Sequence, residues 1–327
     1  MSRILVQQLT DECEFPEGID STMLSSFISC PRSFFYEYLL HFKSRYGSVH
    51  LVAGAAFAAG IEAAKRAYWV DKKPSEDAIA EGLRALLSEY GDYNPEINTA
   101  KTATNMARAL EYYFHEAWPF ETEDAIPVEI NGVAGLEYSF AEPIDVDHPV
   151  TGMPLLYTGR MDAITQYAGG LWGMDEKTTS ALGESWVKQW DLRPQFTGYT
   201  FFAQRAGYQL EGVLVRGVAI KKLSFAHMQV PSGRDPYLIE QWYDSTMYHL
   251  ERMKKMWQER YFPPHFGSAC ENYGGCKFKG ICQSASGVDS MATYFSRRKW
   301  NPLVREEENL DMTVEESFTL QSLMEGL

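Results

Sequence analysis

The 327-residue chain reads as a mixed α/β domain with a helical N-terminal part, and three observations predict that class. Helix signals run almost unbroken from residue 21 to residue 117. From about residue 126 the pattern changes to short alternating stretches broken by turn residues, as strands require. Further on, Val213-Leu214-Val215-Arg216-Gly217-Val218-Ala219-Ile220 is an apolar run suited to a strand buried in a sheet.

Each element has its own justification. Asp20, Ser21 and Thr22 offer N-caps to a helix over residues 21–46, a segment rich in Leu, Phe and Tyr. A second helix spans about 51–70 and carries Gly54, Ala55, Ala56, Ala58, Ala59 and Gly60. That many small side chains suit close packing, at some cost in helix propensity. Pro74-Ser75-Glu76-Asp77 opens a third helix ending near Tyr90. Residues 95–117 make a fourth. Residues 126–140 and 155–178 read as strands. Residues 184–206 read as helix with a break near Pro194, and 223–230 pair with the buried strand. Residues 235–260 form a long helix with Trp242, Met253 and Trp257 among its apolar positions.

Composition narrows the class. A hydrophobic share of 45% supports a sizeable core. No apolar run approaches the roughly 20 residues that span a bilayer. Residues 1–8 hold a single basic residue and no signal-peptide core, so a cytoplasmic protein is expected. Cysteines there stay reduced or bind metal, and five of them make a poor disulfide framework. The net charge of −14 argues against a general polyanion binder while leaving room for a local basic groove. Residues 305–327 hold seven acidic residues against one arginine and read as a flexible acidic end.

The chemistry concentrates in an acidic hairpin. Strand-like stretches 156–167 and 171–178 flank Ala168-Gly169-Gly170, a hairpin signal. A turn on Ala168-Gly169 sets Asp162 opposite Asp175, and a turn on Gly169-Gly170 sets Asp162 opposite Lys177. In both registers Asp162, Asp175 and Lys177 share one face, because side chains alternate along a strand. Like charges directly opposite destabilise a sheet, and a divalent cation between them removes that penalty. Two carboxylates with open water positions suit Mg²⁺ or Mn²⁺. Lys177 would orient an attacking water or stabilise charge on a phosphate. The alternative is a surface hairpin with scattered charges; the apolar neighbours Met161, Ile164, Leu171, Trp172 and Met174 favour a core sheet. Gln195 and Tyr199 stand at i and i+4 on one helical face, placed to hold a nucleic-acid strand or simply to pack.

Cys30 lies near the start of the chain, and Cys270, Cys276 and Cys282 lie within thirteen residues near its end. Their spacing is wider than the pairs of most structural zinc sites. Four thiolates suit a [4Fe–4S] cluster. Cys13, in an acidic stretch, reads as the spare thiol. Lys277, Lys279 and Arg32 would add a local phosphate-contacting surface.

Taken together these motifs resemble the RecB-like branch of the PD-(D/E)XK nuclease superfamily. Within it they are similar to the iron–sulfur members: AddB-type nuclease domains, CRISPR-adaptation nucleases and stand-alone phage exonucleases. Gly159-Arg160-Met161-Asp162 resembles the family's Gly-x-x-Asp strand, and Asp175-Glu176-Lys177 its (Asp/Glu)-x-Lys strand. Gln195-x-x-x-Tyr199 resembles the branch's Gln-x-x-x-Tyr motif. Ser29-Cys30-Pro31-Arg32, with Phe34, Phe35 and Tyr36, resembles the N-terminal iron–sulfur cysteine motif. One departure stands out. The family carries a metal-binding histidine four residues after a glycine and four before an acid; Gly54 and Glu62 fit, but the position is Ala58. Glu62 then completes the metal site alone, or the site holds its ion less tightly. His50 lies before the helix and is a poor substitute.

The resemblance implies a PD-(D/E)XK core, a mixed central sheet flanked by helices, arranged in four parts. These are a helical part over 1–120 with the first cluster cysteine, a nuclease core over 121–262, a cluster segment over 263–300 and an acidic tail over 301–327. It implies a metal-dependent DNA exonuclease acting on single strands or duplex ends. Asp162, Asp175, Glu62 and the Glu176 carbonyl would hold Mg²⁺ or Mn²⁺, Lys177 would position water, and Gln195 and Tyr199 would bind the substrate strand. Cys30, Cys270, Cys276 and Cys282 would bind a structural [4Fe–4S] cluster, closing a loop of roughly 240 residues. Two other roles fit the same residues. One is a weakly catalytic or non-catalytic nucleic-acid-binding module. The other is an accessory subunit of a recombination or replication complex, its tail at 305–327 docking a basic protein partner. A compact chain without helicase motifs is compatible with phage origin, and so with the host cytoplasm.

Overall fold

The computed structural model describes residues 13–45, 48–95, 99–271, 275–283, 291–303 and 311–312. In chain order, β1 (Gly18–Asp20) leads into α1 (Ser21–Ser29) and α2 (Pro31–Phe34), then a π-helical turn (Phe35–Leu39) and β2 (Phe42–Ser44). Next come α3 (Val49–Trp69), α4 (Ser75–Tyr90) and α5 (Ala103–Tyr112), the last running into a π turn, Tyr113–Ala117. The strands β3 (Ile126–Pro127), β4 (Glu129–Ile130), β5 (Val133–Ala134), β6 (Leu136–Asp147), β7 (Pro154–Tyr167) and β8 (Gly170–Thr179) follow. After them come α6 (Glu184–Lys188), α7 (Pro194–Arg205), β9 (Leu210–Ile220), β10 (Phe225–Gly233) and α8 (Pro236–Gln258). The described elements close with α9 (Lys279–Gln283), α10 (Met291–Tyr294), β11 (Phe295–Arg298) and β12 (Asp311–Met312). Apart from residues 311 and 312, the acidic tail at 305–327 lies outside the described residues.

Three helix expectations change, and the one read over 95–117 is α-helical only from Ala103 to Tyr112. The helix read over 21–46 is broken at Cys30, which has extended dihedrals (φ −159°, ψ 107°) because Pro31 follows it. Pro31 then opens a new helix at its first position, where a missing N–H costs nothing. His50, placed before its helix by sequence, sits in the first turn of α3, whose N-cap Ser48 accepts from the His50 N–H.

The chain divides into two compact units. One comprises residues 47–139 and 160–242, the other 1–46, 140–159 and 243–327. In the first unit β7, β8, β9 and β10 form a mixed sheet: β7–β8 and β9–β10 are antiparallel, β8–β9 parallel, and β3 pairs antiparallel to the far side of β7. On one face α3, α4 and α5 share a core with Val218 and Ile220 of β9. Gly60 and Gly82 let α3 and α4 touch at the backbone; a Cβ on Gly82 would lie 2.6 Å from the Gly60 carbonyl. On the other face, at the opposite parity of β9, Gly217 leaves room for the Trp186 ring. The sheet is thus covered on both sides, which is why β9 is buried almost end to end.

The other unit pairs β1 parallel to residues 156–158 of β7. It also pairs β2, β11 and β12 in a small antiparallel sheet. Its core is aromatic: Phe35 stacks on Phe262 with centroids 5.2 Å apart, and Phe278 stacks on Phe295 at 5.1 Å. Arg32 is buried within it and donates from Nε to the Phe262 carbonyl at 2.5 Å. Arg32 therefore belongs to the packing and not to a phosphate-contacting surface. Lys277 is likewise engaged, 2.6 Å from Glu37.

Candidate active site

The β7–β8 hairpin turns on Ala168-Gly169, with φ of +49° and +86° at those two residues. This is the primed turn whose twist matches the flanking strands. The register runs Tyr167↔Gly170 to Ala163↔Met174, so the next opposed pair is Asp162 and Asp175. Of the two registers open in the sequence, the structure takes the one that sets the carboxylates together.

The surroundings of that pair are electrostatically unbalanced. Asp162 Oδ2 accepts the Glu176 N–H at 2.6 Å. Its carboxyl pKa is nevertheless held well above the usual range, by burial first and then by the negative charges of Asp175 and Glu176. Asp175 is 3% exposed, and its Oδ2 lies 2.5 Å from Lys177 Nζ. Burial works against the Lys177 ammonium, but Asp175 and Asp162 outweigh it and raise its pKa. One lysine therefore faces two carboxylates, Asp175 buried and Asp162 half-buried, a shortfall of positive charge that a divalent cation would supply. Every donor is oxygen, as Mg²⁺ and Mn²⁺ prefer. Among the described residues no three His, Cys, Asp or Glu side chains converge as a ready-made metal cage.

Glu62 lies on α3 and lines a small cavity of about 10 Å³ with Ala58, Lys65, Glu137, Asp162 and Glu176. Its carboxylate pairs along the helix with Arg66 at 3.0 Å. Ala58 occupies the cavity wall one helical turn from Glu62, where a histidine would have projected. Gln195 Nε2 donates to Tyr199 Oη at 2.7 Å, so the i,i+4 pair forms as its spacing requires, with Tyr199 buried in α7.

Two carboxylates near the hairpin escaped the sequence reading. Glu137 pairs with Arg160 at 3.1 Å and takes a left-handed φ of +50°. Burial, and then the charge of Glu62, push its carboxyl up to about 7. Glu176 points its carboxylate to the helical face of the sheet, where Lys65 Nζ reaches it at 2.6 Å. The signal for Glu176 was period-two alternation, since it lies between Asp175 and Lys177 and must face away from them. No such signal existed for Lys65 or Glu137.

In the other unit Cys30, Cys270, Cys276 and Cys282 line one cavity of about 570 Å³. None is in a disulfide. Burial raises the thiol pKa of Cys276 and Cys282. His265 brackets the cavity: its N–H approaches Cys30 Sγ at 3.4 Å, and Cys270 Sγ lies 3.8 Å from its carbonyl. Cys30, Cys270 and Cys276 are half-buried and Cys282 is exposed, and among the described residues the thiols do not converge as a ready-made metal site.

The sequence matches the PD-(D/E)XK nuclease superfamily over residues 21–283. No curated protein matches it. The crystal structure of SSO0001 aligns at 15% identity, covering 85% of this chain and 94% of that one, with a TM-score of 0.31.

Proposed function

Because the chain belongs to the PD-(D/E)XK nuclease superfamily, we propose that it is a metal-dependent DNA exonuclease acting on single strands or duplex ends. The observation that carries this reading is the hairpin register, which sets Asp162 and Asp175 next beyond the last ladder pair, Ala163↔Met174, with Lys177 against Asp175. Asp162, Asp175, the Glu176 carbonyl and Glu62 would hold Mg²⁺ or Mn²⁺. When bound, such an ion polarises a phosphodiester and acidifies a water. Lys177 has an ammonium that its neighbours keep protonated, so it serves to orient the water and to meet charge on the phosphate, not to act as a base. Gln195 and Tyr199 would steady the substrate strand. Attack at phosphorus with loss of the 3′ oxygen leaves a 5′-phosphate.

Cys30, Cys270, Cys276 and Cys282 would carry a [4Fe–4S] cluster with a structural role, as the resemblance of the cysteine motif to AddB-type domains implies. It would tie residue 30 to residues 270–282, and the shared cavity of the four thiols supports that assignment. A protein partner for the acidic segment 305–327 belongs to the same proposal, as does a role in recombination or in a phage. The alternative is a weakly catalytic or non-catalytic nucleic-acid-binding or accessory subunit. Ala58 on the wall of the metal-side cavity favours it.

The deciding experiment is cleavage of end-labelled single- and double-stranded DNA by anaerobically purified protein with Mn²⁺, Mg²⁺ or EDTA, beside Asp175→Ala. Metal-dependent loss of label that disappears in the variant supports the nuclease. Intact DNA under all three conditions, from protein that still binds DNA, moves the assignment to the binding role.

A further inference from the structure

Behind the hairpin lies a buried polar network that links five residues far apart in sequence. Lys65 of α3 donates from Nζ to Glu176 Oε1 at 2.6 Å and lies 3.2 Å from Met174 Sδ. The Tyr113 hydroxyl donates to that same Glu176 oxygen. Tyr113 is fully buried, and burial followed by the Glu176 charge holds its phenol well above the ordinary pKa, so the hydroxyl keeps its proton. Arg216 of β9, opposite Glu176 in the parallel ladder, extends Nη1 to the Tyr113 hydroxyl at 3.5 Å. It grips Glu123 with both terminal nitrogens, at 2.8 and 2.5 Å. Its Nε donates to Gln229 at 2.7 Å, and its guanidinium lies over the Trp118 ring at 4.7 Å.

Two cations, Lys65 and Arg216, meet two buried carboxylates, Glu176 and Glu123, and the exposed Asp124 carboxylate lies 3.5 Å from Arg216 at the edge. The side chains of Lys65, Glu176, Arg216 and Glu123 are all at most 6% exposed. Packing alone would be served as well by apolar side chains of similar volume, because burying two ion pairs recovers little free energy. A geometric role is the better account of their presence. The Glu176 side chain is clamped on the helical face. Its N–H, on the same residue, is delivered to Asp162 Oδ2 at 2.6 Å. Its peptide is flanked by Asp175 and Lys177, so fixing Glu176 fixes the twist of the segment that presents both.

We propose that Lys65, Tyr113, Arg216 and Glu123 are positioning residues: through Glu176 they hold the Asp162–Asp175 pair and the Glu176 carbonyl in the arrangement that receives the divalent cation. This inference rests on the metal-dependent reading above. It assigns to α3 and β9 a share in the metal site that none of the hairpin's own motifs contains.

The test is Mn²⁺ binding, followed by the electron paramagnetic resonance signal of the free aquo ion, on the full chain purified anaerobically. The variants are Tyr113→Phe, Glu176→Gln, Asp162→Ala and, as a packing control, Met106→Ala. Met106 is fully buried in the same helical core as Tyr113 and is not one of the hydrogen-bonded residues of the network. Asp162→Ala should abolish binding. Tyr113→Phe and Glu176→Gln should weaken it by about 10-fold or more, the usual scale for removing a partner that orients a ligand. Met106→Ala should lower the melting temperature and leave the Mn²⁺ affinity within about twofold of the parent. Parent-like affinity in Tyr113→Phe and Glu176→Gln, with Asp162→Ala defective, overturns the positioning role alone. A parallel loss of affinity and melting temperature across all variants, Met106→Ala included, reduces the network to packing. A parent that binds no Mn²⁺ overturns the metal-dependent reading itself and this inference with it.

Discussion

Glu137→Gln should make the metal-free protein more stable, and increasingly so as pH rises. The carboxyl is 12% exposed as a side chain, sits near Glu62, and pairs with Arg160 at 3.1 Å. Its pKa in the folded protein is about 7, against an ordinary 4.5. Below 4.5 both folded and unfolded chains hold the proton, and parent and variant should be alike. As pH climbs toward 7 the unfolded chain releases its proton while the folded protein retains it, so the parent steadily loses stability. Above 7 the folded protein ionises too, and the deficit is complete. Each tenfold in that proton equilibrium is worth about 1.4 kcal/mol, which puts the full deficit at about 3 kcal/mol. Glutamine forgoes the charge of the Arg160 pair, a half-exposed contact worth about 0–1 kcal/mol. The expected gain at pH 8 is therefore about 2 kcal/mol, falling toward nothing at pH 5. Urea unfolding in EDTA at pH 5, 6, 7 and 8 measures it. A stability difference that is flat with pH, or that favours the parent at pH 8, would refute the reasoning.

Other outcomes follow from the same structure. Lys177→Ala should lower cleavage by about 100-fold or more while the protein stays folded, checked by rate and circular dichroism together. Gly217→Ala would set a Cβ 2.3 Å from the Trp186 ring, so the fold should lose about 1–3 kcal/mol, seen as an earlier thermal transition. Cys282→Ser should lose iron and visible absorbance from anaerobically purified protein; full iron content would refute its assignment as a cluster ligand.

The hairpin was legible because its information is local. Two turn residues and a period of two set every side chain's face, and the two possible registers differ only in where the turn sits. Helix α4 was equally legible, since Pro74 and the acids after Ser75 mark its start and Gly91 its end. The first helix was misjudged because composition continues across Cys30, whereas Pro31 resets the backbone there. What the chain concealed were partnerships across distance. Lys65 and Glu176 are 111 positions apart, and Arg216 and Glu123 are 93 apart. Each looks like an ordinary charge until the sheet and helices bring it inside. Arg216 in particular interrupts an otherwise apolar strand, and its partners Glu123, Gln229 and Trp118, none of them adjacent in sequence, account for it.

The interleaving of the two units bears on how the protein is made. The unit that holds the hairpin uses no residue beyond 242, whereas the other takes its first piece before residue 47 and its last after residue 242. On a translating ribosome the early aromatic helices must therefore wait, with Phe27, Phe34 and Phe35 unsatisfied, until Phe262, Phe278 and Phe295 emerge. At about 5–20 residues per second, that wait is on the order of 10–50 seconds. During it the nascent segment offers exposed apolar surface to chaperones, and a pause in synthesis near residue 242 would prolong the exposure.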